Sequence, residues 1–141
     1  MHPQHSGVFV IVVNSKNQYL LGKRKDSYKA GMYGFPGGRL ELNETLIECG
    51  KRELREELGL KTNILKFVGV IRELQDGYNF IHFAFVCNKY IGKPQLKEPN
   101  KCEGWDFYSS GHQPKDILPG HRAGLDIFLK QEAEQYRDII K

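Results

Sequence analysis

A chain of 141 residues that is 40% hydrophobic has room for one domain around a single core and none for a second. It has no run of 18 apolar residues, and its opening MHPQHSGVFVIVV lacks the basic flank and small-residue cleavage site of a secretory leader. A soluble, cytoplasmic protein is therefore expected, with no membrane partner. The net charge of +4 hides an asymmetry, because residues 41–57 hold six acids against three bases, a local −3 that leaves +7 on the rest. Such a division suits an anionic ligand bridged to an acidic patch by a metal ion. It excludes a nucleic-acid partner, since no arginine-rich tract or stacking motif accompanies it. The cysteines, Cys49, Cys87 and Cys102, are odd in number and lack C-x-x-C spacing, so neither a disulfide framework nor a zinc site is read. The histidines, His2, His5, His82, His112 and His121, show no ligand spacing and read as structural or solvated.

In chain order, residues 7–13, GVFVIVV, form a continuous apolar run suited to a strand covered on both faces, and the turn signal NSKN follows. A second strand is expected over 18–25, then a loop punctuated by Tyr28, Gly31, Tyr33 and Gly34 that leads to Phe35 and Pro36. A helix is expected at roughly residues 45–58, opened by the capping box Thr45-Leu46-Ile47-Glu48 and closed by Gly59. Residues 62–72 and 80–90 read as a hairpin around Gln75-Asp76-Gly77, and a polar loop runs from Lys93 to Lys101. A short strand over 103–108 carries Trp105, and a last amphipathic helix is expected at 121–137 with Leu125, Phe128, Leu129 and Tyr136 on its apolar side. Strands flanking one helix, with another helix at the end, predict a mixed sheet sandwiched between helices.

The segment Gly37–Leu60, GGRLELNETLIECGKRELREELGL, carries the chemistry. At about 100° per residue, Glu53, Glu56 and Glu57 fall within one arc of the helix, while Ile47, Leu54 and Leu58 share the neighbouring arc that packs on the sheet. A solvated helix intersperses lysines to relieve such repulsion. Carboxylates converging beside a glycine turn instead suit a hard divalent cation that keeps positions open for phosphate oxygens. Arg52, one turn before Glu56, can pair with it and fix its rotamer.

From Gly38 the segment fits G-x5-E-x7-R-E-U-x-E-E-x-G-U, U being aliphatic, and in this it resembles the Nudix hydrolase family. The resemblance implies an α/β/α sandwich with a mixed sheet over the whole chain. It also implies hydrolysis of a diphosphate linkage in a nucleoside diphosphate joined to a group X, with magnesium or manganese as cofactor. Residue by residue it makes Glu53, Glu56 and Glu57 metal ligands together with the carbonyl of Gly37 or Gly38, Arg52 the residue that orients a ligand carboxylate, and Glu44 a supporting acid. The general base is a glutamate of the box, or Glu98 or Glu103 further on, with Glu98 preferred. The segments LLGKRK, PGGRLE and EPNKCEGWDFY are similar to members that convert nucleoside triphosphates to monophosphates and so cleanse the nucleotide pool, although Arg39 stands where several of those carry histidine. Substrate contacts are then expected at Arg24, Tyr33, Phe35, Arg39, Tyr78, Glu103 and Trp105. Aromatic rings hold a base by stacking, and core packing is the alternative role for Tyr33, Phe35 and Trp105. Tyr78 matches a mark of dinucleoside polyphosphate hydrolases, and the entry to the box looks like that of nucleotide-sugar enzymes as well, which makes these the alternative substrates. A catalytically silent binding module is the remote alternative, opposed by the intact Glu53, Glu56 and Glu57. A small-molecule nucleotide is the expected partner, and a homodimer is left open.

Overall fold

The computed structural model describes residues 3–25 and 29–141. Strand β1 (His5–Val12) is the centre of the molecule. Its alternation sends Val8, Val10 and Val12 into one core with Cys49, Leu54 and Leu58, and Phe9 and Ile11 into the other with Leu125 and Ile127. The apolar run is thus covered on both faces, as its composition predicts.

The remaining elements follow as β2 (Tyr19–Arg24), β3 (Tyr33–Gly34), β4 (Gly37–Arg39), α1 (Leu46–Leu58), β5 (Lys66–Gln75), β6 (Tyr78–Cys87), β7 (Cys102–Tyr108), α2 (Pro119–Lys130) and β8 (Tyr136–Ile140). They build a five-stranded sheet ordered β4-β1-β6-β5-β8 and a three-stranded sheet ordered β3-β2-β7. The larger sheet is mixed, since β1 runs parallel to β6 and β5 parallel to β8, while β1–β4 and β5–β6 are antiparallel. The glycine-punctuated loop before the box supplies the short strand β3 and the opening of the box supplies β4, neither of which any periodicity announced. Tyr28 lies outside the described residues.

Helix α1 begins at the predicted capping box, where Thr45 Oγ1 accepts from the Glu48 amide at 3.1 Å and Glu48 Oε1 accepts from the Thr45 amide at 2.8 Å. It ends on Gly59 in the left-handed region at φ 72°. Its buried residues are Cys49, Gly50, Leu54 and Leu58; Ile47 is 43% exposed, because it sits in the first turn, ahead of the part of the helix that packs. Gly50 has a packing reason, as a Cβ there would lie 2.7 Å from Leu65 Cδ1. The β5–β6 hairpin closes on Asp76 and Gly77, both with positive φ, the backbone that a two-residue Asp-Gly turn requires.

The last helix is shorter than expected. It stops at Lys130, Gln131 takes a left-handed conformation at φ 48°, and Tyr136–Ile140 pairs with β5 as an edge strand. Leu125 is buried and Phe128 packs against the core, but Leu129 is 40% and Tyr136 57% exposed. The helical spacing carried on through Tyr136 only by coincidence, and pairing with the open edge of β5 prevailed over it. Among the described residues no helix is long and apolar enough to cross a membrane.

Candidate active site

A cleft of about 810 Å³ opens between α1 and the start of α2, over β1 and between β2, β6 and β7. Helix α1 contributes Arg52, Glu53, Glu56 and Glu57 to its wall, β4 contributes Gly37, Gly38 and Arg39, and the loop before β7 contributes Glu98, Asn100 and Lys101. The two glycines are needed for contact. A Cβ on Gly38 would lie 2.5 Å from Glu53 Oε1, and a Cβ on Gly37 would lie 2.3 Å from the Val8 carbonyl oxygen. Gly37 N–H donates to Glu57 Oε2 at 2.8 Å, which fixes that carboxylate against the turn.

Arg52 is the hub of the wall. It gives Nε to Glu44 Oε2 at 2.6 Å and Nη2 to Glu44 Oε1 at 3.1 Å, a bidentate pair, while Nη1 donates to Glu53 Oε1 at 2.8 Å and to Glu56 Oε2 at 3.2 Å. The expected contact with Glu56 exists, but the shorter bonds go to Glu44 and Glu53. The hydrogen bonds from Arg52 hold the Glu44 carboxyl down at about 2, so Glu44 is the anchor that orients the guanidinium. Burial pushes Glu53 up, with Arg52 opposing. It pushes Glu57 well above the ordinary carboxylate range, with the negative charge of Glu53 adding to the effect and the Gly37 amide opposing it.

These carboxylates line a wall and do not yet form a cage: among the described residues no three His, Cys, Asp or Glu side chains are gathered as a ready ligand set. The donor chemistry nonetheless fits a hard divalent cation. Burial and mutual repulsion raise Glu53 and Glu57, and a cation between them would relieve both.

Of the expected substrate contacts, Arg24, Phe35, Arg39, Tyr78 and Trp105 line the cleft. Tyr33 does not; its ring meets Tyr108 edge-on at 6.3 Å and packs against the core. Glu103 does not either, and its side chain pairs with Lys23 at 3.8 Å at the surface. Simple alternation places Glu103 on the same face as Trp105, but a bulge against β2 intervenes, pairing Gly22 with Trp105 and Arg24 with Cys102. Cys102 and Trp105 therefore share the face over Gly22, where a Cβ would lie 2.8 Å from the thiol and 2.7 Å from the indole.

Sequence reasoning passed over part of the cleft. Phe80, His82, Lys101, Leu118 and His121 line it too. The alternation of β6 carried the signal for two of these, since Tyr78, Phe80 and His82 are spaced two apart and share a face.

A carboxylate-lined helix follows a glycine strand here, on a mixed sheet between two helices, and that arrangement belongs to a class of hydrolases that the chain also matches. Residues 3–126 match the NUDIX domain, and the chain belongs to the Nudix hydrolases, enzymes that act on diphosphate linkages. A Bacillus subtilis protein provisionally named an 8-oxo-dGTP diphosphatase is 30% identical over 96% of this chain and 86% of its own length. The 8-oxo-dGTP diphosphatase of Buchnera aphidicola is 38% identical over 67% of this chain and 72% of that protein. The crystal structure of a MutT NUDIX hydrolase from Burkholderia pseudomallei superposes with a TM-score of 0.83 over 88% of this chain and 97% of that one, at 24% identity, a likeness of fold.

Proposed function

We propose that this enzyme hydrolyses nucleoside triphosphates, deoxy forms included, to the monophosphate and pyrophosphate, and so clears damaged nucleotides from the pool. The observation that carries this reading is the cleft of about 810 Å³ that joins a carboxylate wall to aromatic and imidazole rings, a size and a pairing of surfaces that suit one nucleotide. The two relatives named 8-oxo-dGTP diphosphatases support it.

In this reading Glu53, Glu56 and Glu57, with the carbonyl of Gly37 or Gly38, would hold a divalent cation, magnesium or manganese. That ion neutralises polyphosphate charge and makes water more acidic when bound. Arg52 keeps the Glu53 carboxylate in place through the bond at 2.8 Å and is itself kept in place by Glu44. Glu98, on the cleft wall, takes the proton of the attacking water onto its carboxylate. Arg24, Arg39 and Lys101 bring positive charge to the phosphates. Trp105 and the stacked pair Tyr78 and Phe80, with centroids 5.3 Å apart, provide rings for the base.

Product analysis on dGTP, 8-oxo-dGTP, dCTP, ADP-ribose and a dinucleoside tetraphosphate, with magnesium present, tests the reading. Pyrophosphate and a monophosphate are the expected products, with triphosphates the best substrates. Faster cleavage of ADP-ribose or of the dinucleoside tetraphosphate than of every triphosphate overturns it.

A further inference from the structure

The buried polar side chains of the described residues are Glu73, Gln75, His82 and His121, and all of them gather on the α2 side of the cleft. Such a concentration in an otherwise apolar core calls for a use beyond packing. The hydrogen bonds fix what each ring offers. His121 lies over Phe9 with centroids 4.2 Å apart, and its Nδ1 accepts the Phe35 amide at 2.9 Å. An amide N–H can only donate, so Nδ1 is bare and the ring proton sits on Nε2. Burial holds the ring neutral, its pKa far below the ordinary value, so this tautomer persists.

His82 Nε2 lies 2.8 Å from Glu73 Oε1, and Glu73 Oε2 accepts from Gln75 Nε2 at 2.8 Å. Burial pushes the Glu73 carboxyl up, but the bonds from His82 and Gln75 outweigh it and keep the group ionised. The first turn of α2 presses on the same pair, for a Cβ on Gly120 would lie 2.5 Å from His82 Nε2 and 2.7 Å from Glu73 Oε1. An ionised carboxylate can only accept, so His82 donates to it from Nε2.

Among the described residues neither His121 Nε2 nor His82 Nδ1 has a protein partner, and neither is among the buried side-chain atoms sealed off without one. Both residues line the cleft. We propose that His121 Nε2–H, with the His82 ring edge-on beside it, reads the edge of the base and selects a carbonyl oxygen over an exocyclic amine. This rests on the triphosphatase reading given above. The carboxylate wall and its cation hold the polyphosphate, which sets the direction in which the base enters. The atom facing His121 is then the same in every substrate, and only its chemistry changes. A fixed donor meets a carbonyl with a hydrogen bond and an amine with a second donor, and a site built around an unmet donor rejects the mismatch strongly.

Matched substrates that exchange a carbonyl for an amine test this, namely dITP against dATP and dUTP against dCTP. The carbonyl member is expected to have the higher kcat/KM by about ten-fold or more. His121→Phe keeps a ring over Phe9 but removes the donor and should bring both ratios near one, mainly by loss on the carbonyl substrates. His121→Gln, whose amide can accept from Phe35 and still donate, should keep part of the preference. General damage to the fold lowers both members of a pair together and leaves the ratio unmoved. Equal or reversed ratios in the parent, or unchanged ratios in His121→Phe, overturn the proposal. If no triphosphate is hydrolysed at all, the triphosphatase reading falls instead. Calorimetric binding of dIMP against dAMP, to the parent protein, then decides the base preference without turnover, and tighter dAMP binding or equal affinities overturn it.

Discussion

The α1 side and the α2 side of the cleft both bury polar groups, and they do so in opposite ways. On the α1 side, Glu53 and Glu56 share Arg52 while Glu57 is held by the Gly37 amide, and burial and repulsion raise Glu53 and Glu57. On the α2 side, the Glu73 carboxylate is matched by His82 and Gln75, which hold its pKa below the ordinary value. The first arrangement is electrostatically unfinished and suits a cation from outside. The second is matched as folded and leaves His121 Nε2 to spend on a ligand. In the proposed roles, the side that handles charge keeps surplus charge, whereas the side that discriminates keeps His121 neutral and Glu73 ionised.

The largest expected effect breaks the first side and spares the second. Glu57→Gln should lower kcat by about a thousand-fold while the dITP to dATP ratio stays at its parent value, because several kcal/mol of transition-state stabilisation depend on the metal ligands. The fold should survive, since the helix packs through Cys49, Gly50, Leu54 and Leu58. Without added metal the variant should melt higher than the parent above the carboxylate range. A carboxyl raised by folding destabilises the native state once pH exceeds its unfolded value, and the amide removes that penalty. Steady-state kinetics on the two substrates and thermal melts at neutral pH check both statements; a shifted ratio or a lower melting point contradicts them.

A smaller effect separates two glutamates that the sequence could not tell apart. Glu98→Gln should cost about a hundred-fold in kcat with little change in KM, the usual scale for a lost general base. Glu103→Gln should behave as the parent, because it pairs with Lys23 at the surface and such pairs contribute less than about 1 kcal/mol. Normal turnover in Glu98→Gln would return the role of base to the box, with Glu53 first.

That pair also marks how far the sequence could be read. The capping box, Gly59, the carboxylate arc and the Asp-Gly hairpin depend on neighbours a few residues apart, and all were legible. Glu103 misled because a bulge, which depends on how β7 meets β2, reverses the alternation. The strand Tyr136–Ile140 misled because its partner β5 lies far back in the chain. His82 and His121 were passed over because imidazole chemistry is decided by partners, here Glu73 and the Phe35 amide, that no spacing reveals.

The smallest effect concerns acid. Hydrogen bonds from Arg52 lower Glu44 from its ordinary value to about 2, so its contribution to stability is present above about 4.5 and drains away as pH falls from there towards about 2. Glu44→Gln should flatten that limb of the pH–stability curve and leave the α2 side unaltered. Chemical denaturation from pH 2 to pH 7 measures it, and an identical acid limb in parent and variant would remove Glu44 from the account.

Cys49 bears on how long such a protein lasts. It is buried behind the glycine strand, and burial pushes its thiol up to about 12; Cys102, beside the cleft, is raised by burial too, and Cys87 is buried. Oxidants attack the thiolate, which the sites of Cys49 and Cys102 suppress. Under the proposed function, the oxidants that damage nucleotides would meet suppressed thiolates at Cys49 and Cys102, and the enzyme would keep working while that damage is being made.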